Sequence, residues 1–176
     1  MRLWCKKMRS MKKAAIGALL IYAFAISAQQ AVKPPEDRIE AAFGWMKGDW
    51  LCSGTFPRSG KPIETDVRIQ SVLQGARLLL QQDDRPPNQF HALTFWGWSS
   101  DQHRFSSRLL DSAGGDRLFT STGWDQDAAT WSQEPPDAAS PQRFVFTRKA
   151  GAFGYRFDVQ RDGQWVTVDT LQCSRK

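Results

Sequence analysis

Histidine is scarce in this 176-residue chain, with only His91 and His103, and cysteine is nearly so, with three. The chain has no Gly-x-Ser-x-Gly elbow, no His-Glu-x-x-His, no Cys-x-x-Cys and no phosphate-cradling glycine loop. An isomerase or hydrolase therefore has no constellation of residues behind it. His103 stands near Asp101, but a solvated hairpin tip accounts for that pair better than an acid–base dyad does. Asp83 and Asp84 are neighbours in a strand-like run, so their side chains point to opposite faces. With Arg85-Pro86 following, they read as turn chemistry rather than as a carboxylate pair or a metal site. No metal and no cofactor is expected, and a non-catalytic role is favoured.

Net charge is also lacking once the first residues are set aside. The chain has 24 Lys and Arg against 18 Asp and Glu, and Arg2, Lys6, Lys7, Arg9, Lys12 and Lys13 account for the whole excess. From Gln29 onward the balance is therefore 18 against 18. A neutral chain carries no electrostatic footprint for nucleic acid, and that class of partner is set aside.

Long apolar runs are missing too. Ala14 to Ala28 is fifteen residues, which as a helix covers ~22 Å, short of a bilayer core of ~30 Å. A basic head, a short apolar middle and small residues at Ala23-Phe24-Ala25 and Ile26-Ser27-Ala28 form the pattern of a secretory signal peptide. An uncleaved membrane anchor is the alternative. A start at Met11 leaves a more compact signal. The expected organisation is a signal at 1–28, a linker at 29–35 and one domain at 36–176. The mature protein is expected to be periplasmic or secreted from a bacterium, without stable membrane insertion.

Cys5 leaves with the signal, and it does not end an apolar run as a lipid-modified cysteine would. Cys52 and Cys173 remain, and an even pair in an oxidising compartment favours a disulfide. Neither has a histidine close by, which speaks against a metal site.

What is present begins with one helical stripe. After Pro34-Pro35, residues Ile39, Ala42, Phe43 and Met46 fall at i, i+3, i+4 and i+7, with acids in the first turn and Gly48 as the stop. Beyond it, aromatic and β-branched runs alternate with tight-turn signals. They predict strands near 49–56, 63–72, 76–83, 89–98, 103–111, 116–124, 128–132, 142–149, 152–160 and 164–173. Ser132 to Pro141 reads as a surface loop. A flat meander of nine or ten strands exposes two edges, and closure into an antiparallel up-and-down β-barrel removes them.

Closure pairs the first strand with the last. If Cys52 is placed opposite Cys173, Trp50 falls opposite Arg175, and all four side chains share a face. An arginine over an indole contributes ~0.5–2 kcal/mol. A disulfide closing roughly 120 residues contributes about 3–5 kcal/mol on the chain-entropy model.

A short helix, then Gly48-Asp49-Trp50 opening the first strand, then a meander ending at Arg175, resembles the lipocalin (calycin) superfamily. Within it the chain resembles bacterial exported proteins with a lipocalin-like domain of unknown function. The resemblance covers residues 36 to 176. It implies that Arg175 packs on Trp50 and that the barrel holds a small molecule. The 132–141 loop and the lack of a C-terminal helix depart from ordinary lipocalins. A haem-binding barrel family, the nitrobindin-like proteins, shares the Gly-x-Trp start but needs a histidine late in the chain, which neither His91 nor His103 supplies.

Tryptophan is the remaining signal, with Trp45, Trp50, Trp96, Trp98, Trp124, Trp131 and Trp165 following the signal segment. By alternation Trp96 and Trp98 share a face, Trp124 shares one with Thr120 and Thr122, and Trp165 shares one with Thr167 and Asp169. Large aromatics interleaved with small polar residues suit a ligand pocket. They equally suit a filled core. The expected ligand set is Trp96, Trp98, Phe105, Trp124 and Trp131, with Asp169 as a polar contact for a small apolar or amphipathic molecule. The alternative is a filled barrel acting as an interaction or assembly protein of the cell envelope.

Overall fold

The computed structural model describes residues 36–134 and 140–176. The expected signal peptide and linker lie outside the described residues, as do residues 135–139 of the expected loop. Helix α1 (Glu36–Phe43) runs into a 3-10 turn at Gly44–Met46. Of the apolar stripe, Ile39, Phe43 and Met46 are fully buried and Ala42 is partly so. Gly48 then takes φ +135°, a conformation that favours glycine. A Cβ there would stand 2.5 Å from the Arg175 Nη1.

The strands follow in order: β1 (Gly48–Phe56), β2 (Lys61–Val72), β3 (Arg77–Asp84), β4 (His91–Ser99), β5 (Arg104–Asp111) and β6 (Asp116–Ser121). After them come β7 (Trp124–Asp125), β8 (Ala128–Glu134), β9 (Gln142–Lys149), β10 (Ala152–Arg161) and β11 (Gln164–Arg175). Successive strands pair antiparallel, β1 pairs with β11, and β6 pairs with β8, so the sheet closes on itself. The two-residue β7 continues β6 along β8, and the barrel is ten-stranded. Strand alternation builds its wall. On β2, Ile63, Thr65, Val67 and Ile69 point inward while Glu64, Arg68 and Gln70 point out.

The seam runs where the cysteines suggested. Cys52 faces Cys173 and Trp50 faces Arg175 in the β1–β11 register. The two cysteines are bonded across a sequence separation of 121, and both are buried. Two residues further along β1, Gly54 meets β11 so closely that a Cβ would lie 1.7 Å from the Thr170 carbonyl oxygen. No other residue fits there without moving a backbone.

Two bulges break the alternation, and each redirects side chains. Between β10 and β11 the pairing passes from Phe157↔Asp169 to Asp158↔Thr167, which leaves Val168 as the extra residue. Val168 and Asp169 consequently both line the interior. Thr167 instead donates to Asp158 at 2.8 Å, and Trp165 lies under Arg143, 4.1 Å from guanidinium carbon to ring centre. The shared face expected for Trp165, Thr167 and Asp169 is therefore split. The second bulge separates β6 from β7, where Thr120↔Ser132 gives way to Trp124↔Ala129. It pivots on Gly123 at φ +98°, where a Cβ would meet Phe105 at 2.9 Å. Thr120 is covered by Arg104 and Glu134, to which it is hydrogen-bonded, while Trp124 turns under the helix. These two do not share a face either.

Candidate functional site

The two ends of the barrel differ. At the end where β1 begins and β11 finishes, α1 and its 3-10 turn form a plug. Phe43 sits at the centre of that plug, 5.2–5.5 Å between ring centres from Trp96, Phe105, Trp124 and Trp131. Trp124 donates its indole N–H to the Ala42 carbonyl and Trp50 donates to the Met46 carbonyl, both at 2.8 Å. Arg175 stacks on Trp50 at 4.4 Å and donates to the carbonyls of Lys47 and Trp45, each at 3.0 Å. One arginine thus covers the seam indole and satisfies two carbonyls at the end of the plug.

The structure brings five of the six expected ligand residues together around this plug. Trp98 packs on Phe105 and lies beneath Arg38, and Trp124 lies beneath Arg148. Trp98, Phe105 and Trp124 are packing residues of the plugged end. Trp96 and Trp131 stack at 5.3 Å and form one wall of a chamber of about 30 Å³ deep in the barrel. The remaining lining of this chamber includes Leu80, Thr94, Ser107, Phe146 and Phe153.

The larger space lies at the opposite end, and Asp169 belongs to it. This cavity measures about 220 Å³ and is walled by Phe56, Ile63, Phe90, Leu109, Phe144, Phe157, Val168 and Leu171. Gln82, Asp84, Arg117, Tyr155 and Asp169 supply its polar groups. Gln82, Leu109, Phe144 and Tyr155 line both spaces, so the two are contiguous. An apolar wall with a few convergent polar groups is the usual make-up of a small-molecule site.

The polar groups form two sets. Tyr155 donates its hydroxyl to Gln82 Oε1 at 3.0 Å, and Gln82 Nε2 donates to Asp84 Oδ1 at 3.1 Å, which fixes three side chains in a row. Arg117 is held from outside by Asp111, with which it forms an ion pair, and by Gln142 at 3.1 Å. Asp169 stands apart. It accepts from the Phe157 backbone, while its Oδ1 is buried with no hydrogen-bond partner among the described residues. Burial pushes its carboxyl up to about 7, and the charges of Asp84 and Asp158 add to the rise. Burial, together with the charges of Asp169 and Asp84, also raises the Tyr155 hydroxyl well above the usual phenol value.

Sequence reasoning missed Asp84, Gln82, Arg117 and Tyr155. Asp84 was legible, since opposite pointing of Asp83 and Asp84 requires one of them to face in. Asp83 faces out and pairs with His91 at 2.9 Å. Among the described residues no three His, Cys, Asp or Glu side chains group closely enough to hold a metal ion. No protein-family model matches the chain, and no curated protein is significantly similar to it.

Proposed function

We propose that the protein is a binding barrel of lipocalin-like type that takes up a small apolar or amphipathic molecule through the end opposite the plug. The observation that carries this is the cavity of about 220 Å³, lined mainly by apolar side chains and adjoining the small chamber walled by Trp96 and Trp131. A cavity of ~150 Å³ is enough for benzene, so this one suits a single ring with a short substituent. The interior polar groups support binding rather than turnover, because Tyr155, Gln82 and Asp84 are bonded to one another. The signal-peptide pattern and the disulfide support an exported protein.

A second reading has its own observation. Leu93, Leu110 and Leu118 are 39%, 38% and 50% exposed on the outer face of β4 to β6, where Leu93 pairs directly with Leu110. An apolar patch of this kind suits the alternative of an envelope interaction protein. Amide chemical-shift mapping with indole and cyclohexanol separates the two. Binding predicts shifts centred on Phe56, Leu109, Phe157 and Asp169. An absence of shifts there, with perturbation confined to the leucine face, would reverse the order of the two readings.

A further inference from the structure

We infer that the cavity is built for a ligand with an apolar body and a protonated amine, the ammonium being received by the carboxylates of Asp169 and Asp84. The inference deepens the binding reading above and rests on it. It follows from which hydrogen-bonding capacity remains unspent inside the barrel. The Tyr155 hydroxyl is given to Gln82, and the Gln82 amide is given to Asp84. The Arg117 guanidinium is turned toward Asp111 and Gln142. Arg117 Nε has no hydrogen-bond partner among the described residues, but its charge is already matched by Asp111. Asp169 Oδ1 is an acceptor without a donor among the described residues, in a stretch of wall that includes Phe56, Phe157, Val168 and Leu171. Among the described residues no donor reaches Asp169 Oδ1, and the acids around it carry negative potential, so a ligand seated there must bring both a donor and a positive charge.

Charge sets the order of preference among head groups. Asp84 from β3 and Asp169 from β11 line the cavity, and Asp158 from β10 adds to the same potential. Arg117 from β6 is the one cation in the lining among the described residues, and Tyr155 from β10 is held neutral. An alcohol satisfies the orphan acceptor without answering the charge. A carboxylate meets repulsion from both acids. An ammonium does what neither can, and its binding is stronger where Asp169 has lost its proton.

Isothermal titration of the mature, oxidised protein with 2-phenylethylamine, 2-phenylethanol and phenylacetate tests this at pH 8 and pH 5. All three share one ring, and the amine is protonated at both pH values. At pH 8 the amine is expected to bind about tenfold or more tighter than the alcohol, with phenylacetate weakest. At pH 5, with Asp169 protonated, the gap narrows to about threefold or less. D169N, checked for its near-UV spectrum, removes the gap at pH 8 while still binding the alcohol. Equal binding of amine and alcohol, tighter binding of phenylacetate, or an unchanged gap in D169N overturns the head-group assignment and leaves the binding reading standing. Failure of all three compounds to bind overturns both.

Discussion

Asp158 and Asp169 stand on either side of the barrel wall at the β10–β11 bulge, and their surroundings move their acidities in opposite directions. Burial raises Asp169 to about 7 against an unfolded value of ~3.9. Its contribution to stability is thus greatest below about pH 4. It is lost as pH rises toward 7, because the folded state resists ionisation that the unfolded state accepts. A shift of this size corresponds to about 4 kcal/mol at 1.36 kcal/mol per unit. D169N keeps an acceptor for the Phe157 N–H and removes the charge. It should raise the urea midpoint at pH 8 and leave it unchanged at pH 4. A midpoint unaltered at pH 8 would show that Asp169 ionises without cost in the folded protein. Burial opposes ionisation of Asp158 too, but hydrogen bonds from Arg143, Thr167 and Arg156 outweigh it and hold the carboxyl below its usual value. Its contribution is present above the unfolded value and disappears as pH falls through the folded one. D158A leaves the half-buried Arg143 without its partner, and a loss of about 2–3 kcal/mol at pH 7 is expected by chemical denaturation. The loss should shrink as pH falls below the unfolded carboxylate value of ~3.9.

The plug helix and the bulges act at the level of elements. Phe43 touches four aromatic rings from four strands, so F43A opens a cavity that rigid neighbours cannot close. About 3–5 kcal/mol of stability should be lost. Tryptophan emission should shift to the red as Trp124 loses its cover. An unshifted spectrum would mean that the helix is not what keeps these rings dry. The helix, all ten barrel strands and the β1–β11 register were readable because each depends on local periodicity or on the cysteine pair. The site was read less well, and the bulges explain why. One added residue at Val168 reverses which face each position on β11 presents, and no short-range pattern announces it. The same applies at Gly123, although a glycine flanked by aromatic strands is itself a bulge signal. Aromatic content was also a poor guide to position. Apart from Trp165, the described tryptophans mark the well-packed end, whereas the cavity is where aliphatic and phenyl side chains leave space around a few polar groups.

At the scale of the whole molecule, stability and binding are assigned to opposite ends of one barrel. The plugged half holds Cys52, Cys173, Trp50 and Arg175, and the open half holds Phe56, Asp84, Arg117 and Asp169. The disulfide ties strands that are far apart in sequence, so it limits the unfolded chain far more than it shapes the folded one. On the chain-entropy model, closing a loop of this length stabilises by about 4–5 kcal/mol. C52A/C173A should therefore lower the unfolding free energy by that order, read from the shift of the urea midpoint. The backbone register on either side is held by the β1–β11 and β1–β2 ladders, which do not depend on sulfur. Well below its midpoint, the variant should bind 2-phenylethylamine at pH 8 within about threefold of the parent. A large loss of affinity in a variant that remains folded would show instead that the seam governs the shape of the open end. The division of labour between the two ends would then have to be abandoned.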